Sequence, residues 1–188
     1  MENKDEVLAV EAVTGEKRKA IAEAGILGNI IDRVGLVFAL CFIVSMSILI
    51  LEIFMRYVLN SPTLWAHETT IFLCAIAFIY GGVYCAAHDR HIRVVLIYDM
   101  VGPKMRRMLD VVISLVCFFS AAFFAYASWL MVARSVWSPD GAIRLERTGS
   151  AWNPPYPALL KLFMLAMLLV LAVQFIILAY NYARKPQR

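Results

Sequence analysis

Four long apolar runs, none broken by a charge or a proline, constrain this chain more than any other feature. They cover Val34 to Leu51, Thr69 to Ala87, Val111 to Ala133 and Leu162 to Tyr182. Each holds roughly 18 to 23 residues, and a helix rising 1.5 Å per residue needs about 20 to cross the hydrocarbon core of a bilayer. No period-two alternation marks an outer-membrane barrel, and only helices and closed barrels satisfy every backbone group inside lipid. The runs therefore predict an all-α integral membrane protein with four transmembrane helices.

Composition agrees. Of 188 residues 62% are apolar and 17% charged, where a soluble domain carries about a quarter charged. Mean hydropathy is +0.72. The charges collect in blocks between the apolar runs. Met1 to Lys19 is polar and of mixed charge, with no short apolar core before a small-residue cleavage site, so it is expected to stay on the protein. Cys41, Cys74, Cys85 and Cys117 all fall inside apolar runs with no CxxC spacing, and read as small packing residues.

Lysine and arginine set the orientation. Lys4, Lys17, Arg18, Lys19 and Arg33 precede the first run. Arg90, Arg93, Lys104, Arg106 and Arg107 lie between the second and third, and Arg184, Lys185 and Arg188 close the chain. The first connection, Asn60 to Glu68, has no Lys or Arg, and the last, roughly Arg134 to Lys161, mixes Arg144 and Arg147 with Asp140 and Glu146. The positive-inside rule then predicts both termini and the middle loop in the cytoplasm (N-in/C-in). Trp65, Trp129, Trp137 and Trp152 all fall toward the expected outer side, where amphipathic rings favour the headgroup layer.

Ahead of the first run, Ala20, Ile21, Ala24, Leu27, Ile30, Ile31 and Val34 recur at helical spacing with charges on other faces. That pattern predicts an amphipathic interfacial helix over 17–33, lying on lipid or a partner before the chain turns into the membrane. Residues 1–16 read as a flexible cytoplasmic tail, 34–183 as the membrane domain and 184–188 as a second tail. The spans are expected at about 34–58, 65–87, 107–135 and 158–182, each bound good to a few residues.

Ionisable groups inside a membrane are costly and mark function. Glu52 and Arg56, four apart on one helix face, suit an ion pair. Trp65, His67 and Glu68 follow just across the Ser61-Pro62 break, so Glu52, Arg56, Trp65 and Glu68 form a candidate outer cluster, either a pinned hairpin or a subunit contact. At the other end of the second run, His88, His91 and Arg93 belong either to a solvated loop or to a candidate inner contact with a subunit or lipid phosphate. In the last connection, Arg144, Glu146 and Arg147 are candidate contacts for an extracytoplasmic partner.

No Asp, Glu, Lys, Arg or His lies at a helix centre, which argues against a proton relay or a self-sufficient carrier. A small multidrug exporter would want a carboxylate mid-way along the first helix, and Glu52 lies at its end. His67 and His88 stand about 30 Å apart along one helix and cannot clasp one haem. No phosphate loop, zinc spacing or nucleophile constellation is present. The chain reads as neither an enzyme nor a cofactor or metal binder, and no nucleic-acid partner is expected.

The string Glu52-x-x-x-Arg56-Tyr57-Val58, the Ser-Pro turn, and Trp65-x-x-Glu68 resemble the small membrane subunit of tripartite ATP-independent periplasmic (TRAP) transporters, the DctQ-like family. So do Gly81-Gly82 followed by His88 and His91-Ile92-Arg93-Val94. The approach to the last run, Ser150-Ala151-Trp152-Asn153-Pro154-Pro155-Tyr156-Pro157 leading to Lys161, is similar to that family's entry into its final helix. The likeness spans about Leu27 to Tyr180. The family often has an acid soon after the His-Ile-x-Val stretch, where this chain has Val95 and then Asp99.

The resemblance implies a bacterial inner-membrane importer in three parts. A periplasmic substrate-binding protein delivers an organic acid. A large multi-helix transport subunit carries it with sodium by an elevator motion. The small subunit, the role of this chain, braces the large one and holds no cofactor, sodium belonging to the large subunit. Two other classes share the layout: a membrane anchor subunit of a respiratory or electron-transfer complex, which a haem Soret band would reveal, and a small exporter active alone.

Overall fold

The computed structural model describes residues 24–88, 102–137 and 141–184. Four helices carry the described chain: α1 Gly25–Tyr57, α2 Ala66–Ala87, α3 Pro103–Val136 and α4 Tyr156–Arg184. All four are long and apolar enough to cross a membrane.

The helix bounds follow local chemistry. α1 ends as Asn60 takes a left-handed φ of 54°, a conformation asparagine tolerates better than most residues, and Pro62 cannot continue the helix. α2 opens with Glu68 in its first turn, where a carboxylate complements the helix dipole. α3 starts at Pro103, whose fixed φ and missing N–H suit a first helical position. α4 ends with Arg184 in its last turn, a cation at the negative end of the dipole.

α1 departs from the sequence expectation. The helix runs from Gly25 to Tyr57 without a break, so no turn separates an interfacial segment from a membrane segment near residue 33. The part of the expected interfacial helix before Ala24 lies outside the described residues. The physical reason for continuity is that residues 25–33 are already anchored: Ile31 is buried, its carbonyl accepts the Tyr80 hydroxyl, and Asp32 pairs with His88. α3 starts at Pro103, about one turn before the expected bound at 107 and about two turns before the apolar run at Val111.

The helices form two hairpins, α1–α2 and α3–α4, joined where α2 packs on α4. α1 and α3 flank this central pair. Small residues sit at the joints: Ala86, Ala121 and Ala172 share one buried cluster with Phe175, Leu178 and Tyr182. Small side chains let helix backbones approach closely where lipid removes the hydrophobic drive. A second cluster of Ile31, Tyr80, Val83 and Ala87 ties α1 to α2 and reaches Phe163 and Met167 on α4. Phe38 stacks on Tyr80 at 4.0 Å and lies 5.7 Å from Phe163.

One glycine decides a close approach. A Cβ on Gly35 would stand 2.9 Å from Cε2 of Tyr84, whose ring is itself stacked on His88 at 4.0 Å. Only a residue without a side chain lets α1 and α2 meet there.

The outer flank of α1 is bare. Only 6% of its most apolar stretch is buried, against 33% for α2. Leu36, Val37, Leu40, Ile43 and Ile50 are all exposed, a surface that only lipid or another membrane protein can cover.

Candidate functional site

Within the helices four of the Ser and Thr hydroxyls bond their own backbone. Thr70 donates to the Ala66 carbonyl at 2.8 Å, Ser47 to Ile43 at 2.9 Å, Ser114 to Asp110 at 2.8 Å and Ser120 to Val116 at 2.9 Å. Such back-bonds satisfy the hydroxyl without offering a path. Gln174, fully buried, donates through Nε2 to the Ala24 carbonyl at 3.4 Å. Among the described residues the charges lie in loops or within about 12 Å of a helix end along its axis. The polar chemistry therefore sits at the two ends of the bundle.

At the end where α1 stops and α2 begins, Glu52 is the organising group. It is 7% exposed. One carboxylate oxygen accepts Arg56 Nε at 3.1 Å and Nη2 at 2.6 Å. The other accepts the Thr63 backbone N–H at 3.0 Å and the Thr63 hydroxyl. The ion pair expected from the four-residue spacing is formed. Thr63, which sequence reasoning did not single out, closes the turn after Pro62 onto α1. Glu68 does not join this cluster: it accepts the Thr148 hydroxyl at 3.2 Å from the last connection. Trp65, partly exposed at the start of α2, completes no polar bond of the cluster.

That last connection is built as a strap over the ends of α3 and α4. Trp137 and Ile143 form an antiparallel bridge. The Arg144 N–H donates to the Val136 carbonyl at 2.8 Å and the Glu146 N–H to the Ser135 carbonyl at 2.9 Å. These bonds cap carbonyls that a helix C-terminus leaves unpaired. Glu146 bridges α3 and α4, accepting the Ser135 hydroxyl at 2.5 Å and the Lys161 ammonium. These two donors, Lys161 first, hold its carboxyl below the ordinary carboxylate value. Arg144, Glu146 and Arg147 do line one groove, with Arg134, but the carboxylate pairs with Lys161 and not with the arginines.

The strap also grips the first hairpin. Beside the Thr148–Glu68 bond, Tyr156 stacks on Phe72 at 4.4 Å, and Trp152 packs edge-on against Tyr156 at 5.5 Å. Asn153, at φ 53°, bonds the Gly149 N–H through its side chain at 3.1 Å. All four tryptophans are exposed near this end.

At the opposite end His88 terminates α2. Its Nε2 lies 3.2 Å from Asp32 Oδ1 and its Nδ1 3.0 Å from the Tyr84 carbonyl. Both nitrogens thus lie beside oxygen atoms of the chain. The His88 side chain is 5% exposed and so faces α1, not outward as an inner contact requires. His91 and Arg93, the other expected inner contacts, lie outside the described residues. Arg107 of α3 donates to the Tyr182 and Ala183 carbonyls, tying the start of α3 to the end of α4. Asp110, 2% exposed, stands one residue before the apolar run that opens at Val111 and so carries no signal in the hydropathy pattern.

The four cysteines are free, and among the described residues no group of His, Cys, Asp or Glu is placed to hold a metal ion. His67 and His88 stand at opposite ends of α2.

Four long apolar helices, with the charges of the described residues near helix ends or in loops, are the features of a multi-pass membrane protein. The family model described as tripartite ATP-independent periplasmic transporters, DctQ component, matches residues 45–185. The chain belongs to this family, the small-subunit component of TRAP transporters. Among curated proteins none matches the chain.

Proposed function

We propose that this chain is the fixed scaffold subunit of a TRAP-type secondary transporter in a bacterial cytoplasmic membrane. Both termini face the cytoplasm, and the Glu52/Glu146 end faces the periplasm. The basic segments Lys17–Lys19 and Lys104–Arg107 and the C-terminal Arg184 and Lys185 support this orientation.

The observation that carries the reading is the division of labour between helix ends and helix centres. Each described Asp, Glu, Lys, Arg and His is near a helix end or in a loop, while the flank of α1 is overwhelmingly apolar. A carrier needs polar groups near the midplane to bind what it moves. A brace needs rigid helices, fixed ends and an apolar flank for its partner.

In this reading α1 packs against the large multi-helix subunit, which carries an organic acid together with sodium. The strap from Trp137 to Tyr156 is the part of this chain that a periplasmic substrate-binding protein meets. This subunit takes no cofactor. The test is co-purification: tagged chain extracted in mild detergent brings down the large subunit, and two bulky polar substitutions on the α1 flank, Leu40→Gln with Ile43→Gln, release it. Undiminished capture by that variant overturns the assignment of α1.

A further inference from the structure

The groove between the end of α3 and the strap holds more positive charge than the chain neutralises. Arg134, Arg144 and Arg147 line it together with Trp137, Ile143 and Asn153. Among the described residues the guanidiniums of Arg134 and Arg144 have no ion pair or hydrogen-bond partner, and that of Arg147 has only the Asn153 carbonyl, at 3.2 Å. The groove's own carboxylate, Glu146, is committed to Lys161 and Ser135. Over this segment the sequence supplies four cations (Arg134, Arg144, Arg147, Lys161) against two carboxylates (Asp140, Glu146). The C-terminal dipole of α3 accounts for one cation in its last turn, Arg134. It does not account for two more brought to the same groove by the strap.

Arginines that line one groove without a counter-ion suit an anion, since each guanidinium presents a planar fork of donors that matches phosphate or carboxylate. Depth separates the two. Trp129 and Trp137 lie 6.1 Å apart and are 49% and 44% exposed, and Ile143 is 76% exposed. Exposed indoles at a helix end mark the headgroup layer. Arg134 lies between Trp129 and Trp137 along the chain, at the depth of that layer, where lipid phosphates sit. Ile143 and Trp137 give the same groove an apolar rim, which a lipid's glycerol and upper acyl chain can cover.

The geometry points to a binding site for the phosphate of an anionic glycerophospholipid headgroup, held by Arg134, Arg144 and Arg147. The lipid neutralises the groove and pins the strap to the membrane surface. This inference rests on the strap's geometry and does not depend on the transporter reading.

Native mass spectra of the full chain in a neutral detergent test it, with phosphatidylglycerol or phosphatidylcholine added in turn. Phosphatidylglycerol is expected to be retained preferentially. Its occupancy should fall about tenfold in the triple variant R134Q/R144Q/R147Q, the loss of one or more charged hydrogen bonds. The matching lysine triple variant, which keeps charge but loses the forks, should fall between the two and guards against a folding artefact. Equal occupancy in wild type and glutamine variant overturns the proposal, as does equal retention of the two lipids. Displacement by millimolar inorganic phosphate alone makes this a free-phosphate site and overturns the lipid assignment. Unchanged lipid occupancy with weakened capture of the periplasmic binding protein makes it a protein contact, which also overturns it.

Discussion

Thr63 gives both its backbone N–H and its hydroxyl to one oxygen of Glu52, whose other oxygen holds Arg56. Eleven residues apart in sequence, the two fix the turn that brings α2 back beside α1. A carboxylate with both oxygens occupied at a buried helix end is a structural fastener, and the first outcomes concern it.

Glu52→Gln keeps the shape but removes the charge that both partners read. It is expected to lower the thermal midpoint of the detergent-solubilised chain more than Arg56→Ala, because Arg56 is 53% exposed and exposed ion pairs are worth little. Thr63→Val should act in the same direction as Glu52→Gln. Equal midpoints for wild type and Glu52→Gln would remove the fastener role.

Gly35→Val tests the contact of α1 with the Tyr84 ring. The new side chain meets a ring already stacked on His88, so the helices must part. Overpacking of this kind costs about 1–3 kcal/mol, and the shift also draws Asp32 away from His88. Denaturation in a graded detergent series reads the loss, and wild-type stability in the variant would mean that the ring yields freely.

Gln174→Leu is expected to stabilise. The amide oxygen is buried with no partner and the amide nitrogen bonds at a long 3.4 Å. Removing an unsatisfied buried acceptor is worth about 1 kcal/mol or more, offset partly by the lost bond. The same unfolding series checks the sign.

Acid should loosen the strap. Lys161 and Ser135 depress the Glu146 carboxyl below 4.5, so the unfolded chain binds its proton more readily than the folded one. The stabilisation is then fully present above that value and is lost as pH falls through the depressed one. Lys161→Met is expected to flatten this limb of the stability-versus-pH curve below pH 4.5. An unchanged limb would place the acid sensitivity elsewhere.

Residue pattern alone made much of the fold legible. Apolar runs located all four helices because lipid demands a continuous stretch that no other architecture imitates. Glu52 with Arg56 was legible because i, i+4 spacing places them on one face whatever the rest does. The remaining partnerships were not. Glu146 has Arg144, Arg147 and Lys161 within reach of a flexible loop, and only the strap's pairing with the end of α3 selects Lys161. His88 turns to Asp32 because Gly35 lets the helices touch, which spacing cannot reveal. Arg134 stands in the sequence only as the start of the last connection, and its place in a groove with Arg144 and Arg147 follows from the strap.

The scaffold role is tested most directly by import. Proteoliposomes holding the large subunit and this chain, with the binding protein loaded outside and a sodium gradient imposed, should accumulate substrate. Vesicles holding the large subunit without this chain should not, although it inserts equally well. Import at the same rate in both would contradict a scaffold on which transport depends.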